Sequence, residues 1–397
     1  MEETLRPVTE SAQLDAISRF ISLTYTPSLE DATKWLRESV GLDNCRFLPT
    51  HDGHPAASLV RIPMGQYFGG RSVPMVGIAG VAVPATGRGA GLAGRMMRAM
   101  TREADAEGFA ISTLYASTAA LYRSVGYEIA GARYECCVDM RVIQAQREKT
   151  RRVVMLDDSH AQQVREVYTA FASRMPGMLD RGDYCWSRVR KRWGADCNGY
   201  GLTDHSGTLE GYAFIQQTRL DSGKQNLTVS DLAFVNAGAG RRVLGLLADF
   251  AMMSERLTLF GAATNPLGAM MPLSSFDVKL QHEWMVRIVR LKDAIEKRGY
   301  SPAINTEFDL DISDDVLPRN KGRWTVRIQD GHARCEAADG KDRPVLHASI
   351  GGFSPVYTGY LTPLAARTVG LVRCDDHAGA LLDGVFGSGQ AAMVDFF

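Results

Sequence analysis

No apolar run in this 397-residue sequence approaches the ~20 residues that a membrane-spanning helix requires. The opening MEETLRPVTE is acidic and has no apolar core of a secretory leader, so a cytoplasmic chain without a membrane partner is expected. Charge of one sign is missing too. Basic and acidic residues number 45 each, for a net charge of +0, whereas a nucleic-acid partner calls for a basic excess. Seven cysteines, odd in number and without a C-x-x-C pair, provide neither a disulfide framework nor a zinc site and fit a reducing compartment. The eight histidines form no ligand cluster; His51-Asp-Gly-His54 reads as a loop, and no metal is expected. What is present is ordinary: 45% hydrophobic and 23% charged residues, as in a globular protein. At this length one core does not suffice, and two or three domains are expected.

One stretch organises the chain: Gly77-Ile-Ala-Gly-Val-Ala-Val83, Pro84, a short loop, then Arg88-Gly-Ala-Gly91-Leu-Ala93-Gly94 opening a helix of Ala, Met, Leu and Arg. The apolar run reads as a strand ended by Pro84, which removes a ladder donor. Glycines let the backbone close on a ligand, and the free amides of a helix start favour an anion. Arg88 adds a planar cationic fork that matches phosphate oxygens. The pattern points to a pyrophosphate.

Several readings of that loop compete. Gly89-x-Gly91-x-x-Gly94 matches the dinucleotide fingerprint, but the next strand-like run, Phe109 to Ser117, ends without the acid that would hold a ribose. No Gly-Lys-Ser/Thr follows, which excludes a P-loop. An ordinary glycine-rich helix start is the plain structural alternative. Arg88-x-x-Gly91-x-Ala93 resembles the Q/R-x-x-G-x-G/A loop of the GCN5-related (GNAT) acetyltransferases, which grips the pyrophosphate of acetyl-CoA. One helix and one strand further on, Ala120-Leu-Tyr122-Arg-Ser-Val-Gly126-Tyr127 resembles the L-Y-x-x-x-G-F/Y turn of the same superfamily.

The surrounding pattern supports that order. A strand is expected at Thr4 to Val8, a helix capped by Ser11 through Tyr25, a second helix from Ser28, and strands at Cys45 to Leu48 and Ala56 to Pro63. Glu128 to Met140 reads as the closing strand, and the charged Gln144 to Arg152 as a linker. Beyond it Val153 to Leu156, the helix Ala161 to Ala172, strands near Leu209 to Ile215 and Leu227 to Val235, and Gly238 to Leu247 repeat the first half as a degenerate copy without the arginine loop. The last third reads as an α+β unit: helix Leu291 to Lys297, alternating strands from Phe308, an Asp330-Gly331 hairpin, and helices near Thr362 to Leu371 and Ala378 to Phe386.

Two acetyltransferase-like halves, an α+β third part and a terminal Phe397 together resemble the Eis (enhanced intracellular survival) N-acetyltransferases. Met175-Pro-Gly-Met178 and Tyr184-x-Trp186 add to the match. The resemblance implies an α/β (α+β) fold of two tandem GNAT-like domains, the second degenerate, followed by a sterol-carrier-like domain, with boundaries at 1–147, 148–289 and 290–397. It implies acetyl-CoA as co-substrate, a small-molecule primary amine as acceptor, and a homohexamer. Val81, Ala82 and Val83 would hold the pantetheine arm and acetyl group through the backbone. Arg88, Gly89, Ala90, Gly91, Leu92, Ala93 and Gly94 would hold the pyrophosphate, and Ser117 and Thr118 would complete the slot. Tyr122 would be the general acid and the Phe397 α-carboxylate the general base.

The chemistry such a site must do is definite. An amine of pKa about 10.4 lies roughly 4 kcal/mol from its neutral form near pH 7, so a base is needed. The oxyanion needs amide donors and the departing thiolate a proton. Tyr127 reads as packing. Relatives that acetylate aminoglycosides line the amine pocket with carboxylates, one of them beside the terminal residue. Here that neighbour is Phe396, so a polycationic acceptor is not expected, and Glu30, Asp31 and Asp395 are the acids in question. The alternatives are an enzyme acting on protein lysines, or a non-catalytic acyl-CoA- or lipid-binding protein.

Overall fold

The structure, a computed structural model of the chain, describes residues 4–146, 152–192, 194–387 and 389–397. The linker expected at Gln144 to Arg152 falls largely outside them; its described start is the end of a short helix, Met140–Gln144. Two compact units emerge, one of Met1–Gly131, Trp284–Gly389 and Phe397, the other of Ala132–Glu283 and Gln390–Phe396.

In the first unit the chain begins with β1 (Arg6–Pro7), shorter than the expected Thr4 to Val8. Helix α1 (Ser11–Tyr25) follows, but Ser11 is its first residue and not its cap. Glu10 holds the cap position, and the Gln13 carboxamide reaches back to accept from the Thr9 and Glu10 amides at 2.9 and 3.2 Å. Helix α2 (Leu29–Lys34) is capped by Ser28, whose hydroxyl accepts from the Asp31 amide at 3.0 Å, and it widens into a π-helical turn, Trp35–Val40. Strands β2 (Cys45–Pro49), β3 (Pro55–Phe68) and β4 (Arg71–Ala82) form an antiparallel meander. β3 and β4 are longer than the expected runs because Pro63 and Pro74, which break the sequence pattern, sit inside paired strands. Next come α3 (Leu92–Ala106), β5 (Ile111–Leu114), α4 (Ala119–Arg123) and β6 (Glu128–Asp139).

β5 pairs in parallel with β4 on one side and antiparallel with Met285 to Ile288 on the other. One face of these strands, through Val76, Ile78 and Leu114, packs on Met96, Met97 and Met100 of α3. Those methionines are wholly enclosed, each contributing on the order of 1.5–3 kcal/mol. The same unit contains a five-stranded sheet ordered His332–Ala337, Gly322–Gln329, Thr306–Ser313, Val345–Ser349, Val372–Arg373. Asp330 and Gly331, at φ 52° and 77°, make the expected two-residue hairpin. Helices Leu291–Lys297, Pro363–Thr368 and Asp376–Phe386 fall where expected. The helix Ile350–Thr358 was not expected: its run IGGFSPVYT has two glycines and an internal proline, yet every residue of it is buried. Burial outweighs a poor local propensity there.

The second unit orders its strands as Glu128–Asp139 (its residues from Ala132 on), Ser254–Gly261, Gln225–Phe234, Leu209–Arg219, Asn198–Thr203, Arg152–Met155. Helices Ala161–Ala172 and Ala237–Ala248 match the repeat seen in the sequence. Arg181 lies fully enclosed here, donating to Asp231 at 2.7 and 2.8 Å and to Asp395 at 3.0 Å, under the Tyr168 ring at 3.9 Å.

Candidate active site

β4 and β5 pair from Met75/Ile111 to Ile78/Leu114, and no further. Just beyond, β4 carries a bulge: Ala79 pairs with Val60 and Ala82 with Ser58, so Gly80 and Val81 face the single Leu59. Gly80 adopts φ 56°, a left-handed value that favours glycine, with the Trp35 ring 3.1 Å from where a Cβ would stand. The bulge frees backbone groups of Val81 from regular pairing. The Tyr25 hydroxyl takes up one of them, donating to the Val81 carbonyl at 3.0 Å.

Downstream of that opening the Arg88 loop is exposed. Gly89 and Gly91 sit at φ 82° and 70°, with nothing within 4 Å of either Cβ position. These glycines therefore serve backbone direction, not crowding. The first helical bond runs from the Arg95 amide to the Gly91 carbonyl at 3.1 Å, so the preceding amides have no turn below them to receive them. Leu92, Ala93 and Gly94 form the half-buried first turn. A pyrophosphate fits this donor set: free amides, the positive end of a 15-residue helix and an exposed guanidinium.

Tyr122 is 4% exposed on α4, edge-on to Tyr127 with ring centroids 6.0 Å apart. Burial first, then the neighbouring Tyr25 and Tyr127, push its hydroxyl above the ordinary tyrosine range. Tyr127 is pushed up to about 12 by burial, against an opposing hydrogen bond with Ser112 at 2.7 Å. That partner makes Tyr127 a structural anchor, since Ser112 in turn donates to the Val76 carbonyl. The glycine of this turn also has a physical reason. Gly126 has φ 87°, and a Cβ there would meet Arg287 Nε at 2.8 Å. The enclosed Arg287 donates to the Val125 carbonyl at 3.0 Å and to both Asp314 oxygens at 2.8 Å, fixing the tyrosine turn. Ser117 and Thr118 are exposed between β5 and α4.

Phe397 is 8% exposed. Its ring faces Tyr115 with centroids 5.7 Å apart and lies where a Gly77 Cβ would stand, 2.7 Å away. Gly77 alternates with Val76 and Ile78, so Phe397 lies on one face of the β4–β5 pair, while Tyr122 packs in the core on the other. Both faces meet only where the two strands part.

Sequence reasoning missed Tyr25, Trp35, Tyr115 and Arg287, whose roles come from contacts between residues 27 to 282 positions apart. A glycine inside a strand, Gly80, was the available sign of the bulge. Of the acids in question, Asp395 is bound by Arg181, and Asp31 accepts from the Ser28 hydroxyl at 2.7 Å. Glu30 is exposed. Among the described residues no cluster of His, Cys, Asp and Glu forms a metal site.

Comparison with known proteins identifies the domains. Residues 4–130 match an acetyltransferase (GNAT) domain family, 177–288 a second GNAT domain family, and 291–394 a sterol carrier protein domain. The N-acetyltransferase Eis of Mycobacterium tuberculosis is 27% identical over 299 residues, 69% of this chain and 70% of that protein. The chain is a GNAT N-acetyltransferase. Its resemblance to Eis holds, and its fold is two GNAT domains followed by a sterol-carrier domain. A GNAT acetyltransferase from Anabaena variabilis superposes with TM-score 0.91 at 25% identity, over 99% of this chain and 100% of that one. Another from Kribbella flavida gives 0.84 at 26%, over 100% and 99%. Eis1 of Mycobacterium abscessus, at 18% identity and TM-score 0.79 over 99% and 100%, shares the fold.

Proposed function

We propose that this GNAT protein transfers the acetyl group of acetyl-CoA to a primary amine of a small molecule, in a first domain spanning 1–147. A degenerate domain, 148–289, and a sterol-carrier-like domain, 290–397, complete the chain. The observation that carries the reading is the burial of Phe397 against Gly77 and Tyr115, on the strands that part at the acetyl-CoA slot. Arg88 to Gly94 hold the pyrophosphate, Val81 to Val83 the pantetheine and acetyl group, and Ser117 and Thr118 line the slot.

In this mechanism the Phe397 α-carboxylate takes a proton from the ammonium, directly or through one water, and the neutral amine attacks the thioester carbonyl. Amide donors of β4 receive the oxyanion. Tyr122 donates to the departing sulfur. Its raised pKa keeps it protonated until the sulfur departs. By the same resemblance we place the chain in the cytoplasm as a homohexamer, which mass measurement in solution checks.

The test is thiol release from acetyl-CoA across a panel of amines, with a variant extended by a few residues past Phe397. Each added residue moves the terminal charge by about 3.3 Å. The extended protein is expected to bind acetyl-CoA and transfer slowly, with the deficit shrinking as pH rises and the amine loses its own proton. Full activity of the extended protein at neutral pH overturns the role of Phe397. Tight acetyl-CoA binding without turnover on any amine points instead to an acyl-CoA-binding protein.

A further inference from the structure

The face of β3 and β4 that carries Phe397 continues past the bulge. Ser58, Val60 and Ile62 alternate along β3, so the residues directly opposite them, Ala82, Ala79 and Gly77, share one side of the sheet. At the Ala82 end, Ile21 and Ala32 from α1 and α2 enclose Ala82, and Phe20 and Trp35 pack beside them. At the Gly77 end the Phe397 ring lies 2.7 Å from where a Cβ would stand, with the Met64 methyl at 2.5 Å. Two aromatic walls therefore rise from one sheet face, Trp35 at the bulge and Phe397 at Gly77. Between them comes Ala79, half-buried, whereas Val60 beside it is enclosed.

The four residue steps of β3 from Ser58 to Ile62 span about 13 Å. Less the thickness of the two walls, that length admits one flat apolar body seated on a floor of a single methyl. The ring faces and edges at either end suit stacking, and removing such a body from water drives its binding. Charge to match a polycation is missing from this face. The other side chains that alternate onto it, Met64 and Gln66 of β3 and Thr113 and Tyr115 of β5, are uncharged, and the Thr113 hydroxyl donates to Gln66 at 3.1 Å. On the first turn of α2, Glu30 is exposed and Asp31 accepts from the Ser28 hydroxyl at 2.7 Å. A second ammonium brought between the walls would lose its hydration without gaining a partner there.

We propose that the acceptor is an arylalkylamine, a primary monoamine on a flat apolar body, held between Trp35 and Phe397 over Ala79. This acceptor class rests on the acetyl-transfer reading of the site. The experiment is thiol release from acetyl-CoA by the full chain at one pH, with phenethylamine in one arm and the diamine putrescine in the other. kcat/KM should be at least about tenfold higher for phenethylamine, the scale of burying one ring. Ala79→Leu, which raises the floor, should lower kcat/KM for phenethylamine about tenfold or more and leave CoA affinity by calorimetry unchanged. The amine comparison uses the unaltered chain and stands even if Ala79→Leu fails to fold. A smaller ratio, a preference for putrescine, or an Ala79→Leu chain as active as the unaltered one overturns the acceptor class while acetyl transfer stands. An equal loss of CoA affinity in Ala79→Leu makes Ala79 part of the CoA slot and overturns it too. Release with neither amine but with another of the panel overturns the acceptor class alone; release with none overturns the acetyl-transfer reading with it.

Discussion

The two GNAT-type domains repeat one chain path and treat the same helix start in opposite ways. In the first, Gly89 and Gly91 hold left-handed conformations, nothing fills the space beside them, and no side chain caps α3. In the second, Asn236 caps the helix Ala237–Ala248 by accepting from the Ala239 amide at 2.9 Å. A Cβ on Gly240 would meet Met270 at 2.9 Å and Phe234 at 3.0 Å. The cation there is engaged as well, since Arg242 pairs with Glu210. An open start keeps its amides for a ligand, whereas a capped and covered one uses them for stability. The repeated helix start is therefore open in one copy and closed by its own side chains in the other.

The largest effect that would sharpen this contrast lies at the tyrosine turn, which the second copy lacks. Tyr122→Phe should retain CoA affinity and lose turnover by about 10²-fold or more. Tyr127→Phe loses a hydrogen bond to Ser112 and should mainly lower stability, by about 1 kcal/mol. Steady-state kinetics and thermal melting separate the two; an inactive Tyr127→Phe beside an active Tyr122→Phe would reverse the assignment.

Next comes the loop itself. Arg88→Ala should weaken CoA binding about tenfold or more through loss of a charge-assisted contact, whereas Arg242→Ala should leave it unchanged. Calorimetry should count one CoA per chain, and two equivalent sites would break the comparison outright. Gly77→Ala places a methyl against the Phe397 ring and Met64, so transfer should fall further than CoA affinity. Equal losses in both would mean that Gly77 matters only for packing.

The smallest effects are on stability. Gly91→Ala forces a side chain into a left-handed conformation at a cost of about 1 kcal/mol and should weaken CoA binding too. Gly240→Ala crowds Met270, a flexible side chain, and should cost about 1–3 kcal/mol at most without touching CoA affinity. Denaturant melts with CoA titrations distinguish them.

Much of this was readable in the residues. Periodicity set the bounds of Ser11–Tyr25, Ala161–Ala172 and Leu291–Lys297, because amphipathic helices record their buried face every three or four positions. The Asp330-Gly331 hairpin and the Arg88 loop were legible because their backbone conformations demand particular residues. The helix Ile350–Thr358 was not, since its glycines and Pro355 argue against a helix until total burial is taken into account. Asp395 looked available in sequence and proved bound, because its partner Arg181 lies 214 residues away.

The sequence by itself determined the order of elements, the left-handed glycines of the Arg88 loop and the tyrosine turn, all of which rest on neighbours within about ten residues. Only the tertiary structure decided that β4 and β5 part after Ile78 and Leu114, that Tyr25 reaches Val81, and that Phe397 packs on Gly77. Those facts depend on strand register and on contacts between residues 56 to 320 positions apart. No local propensity encodes such contacts, and only the folded core fixes them.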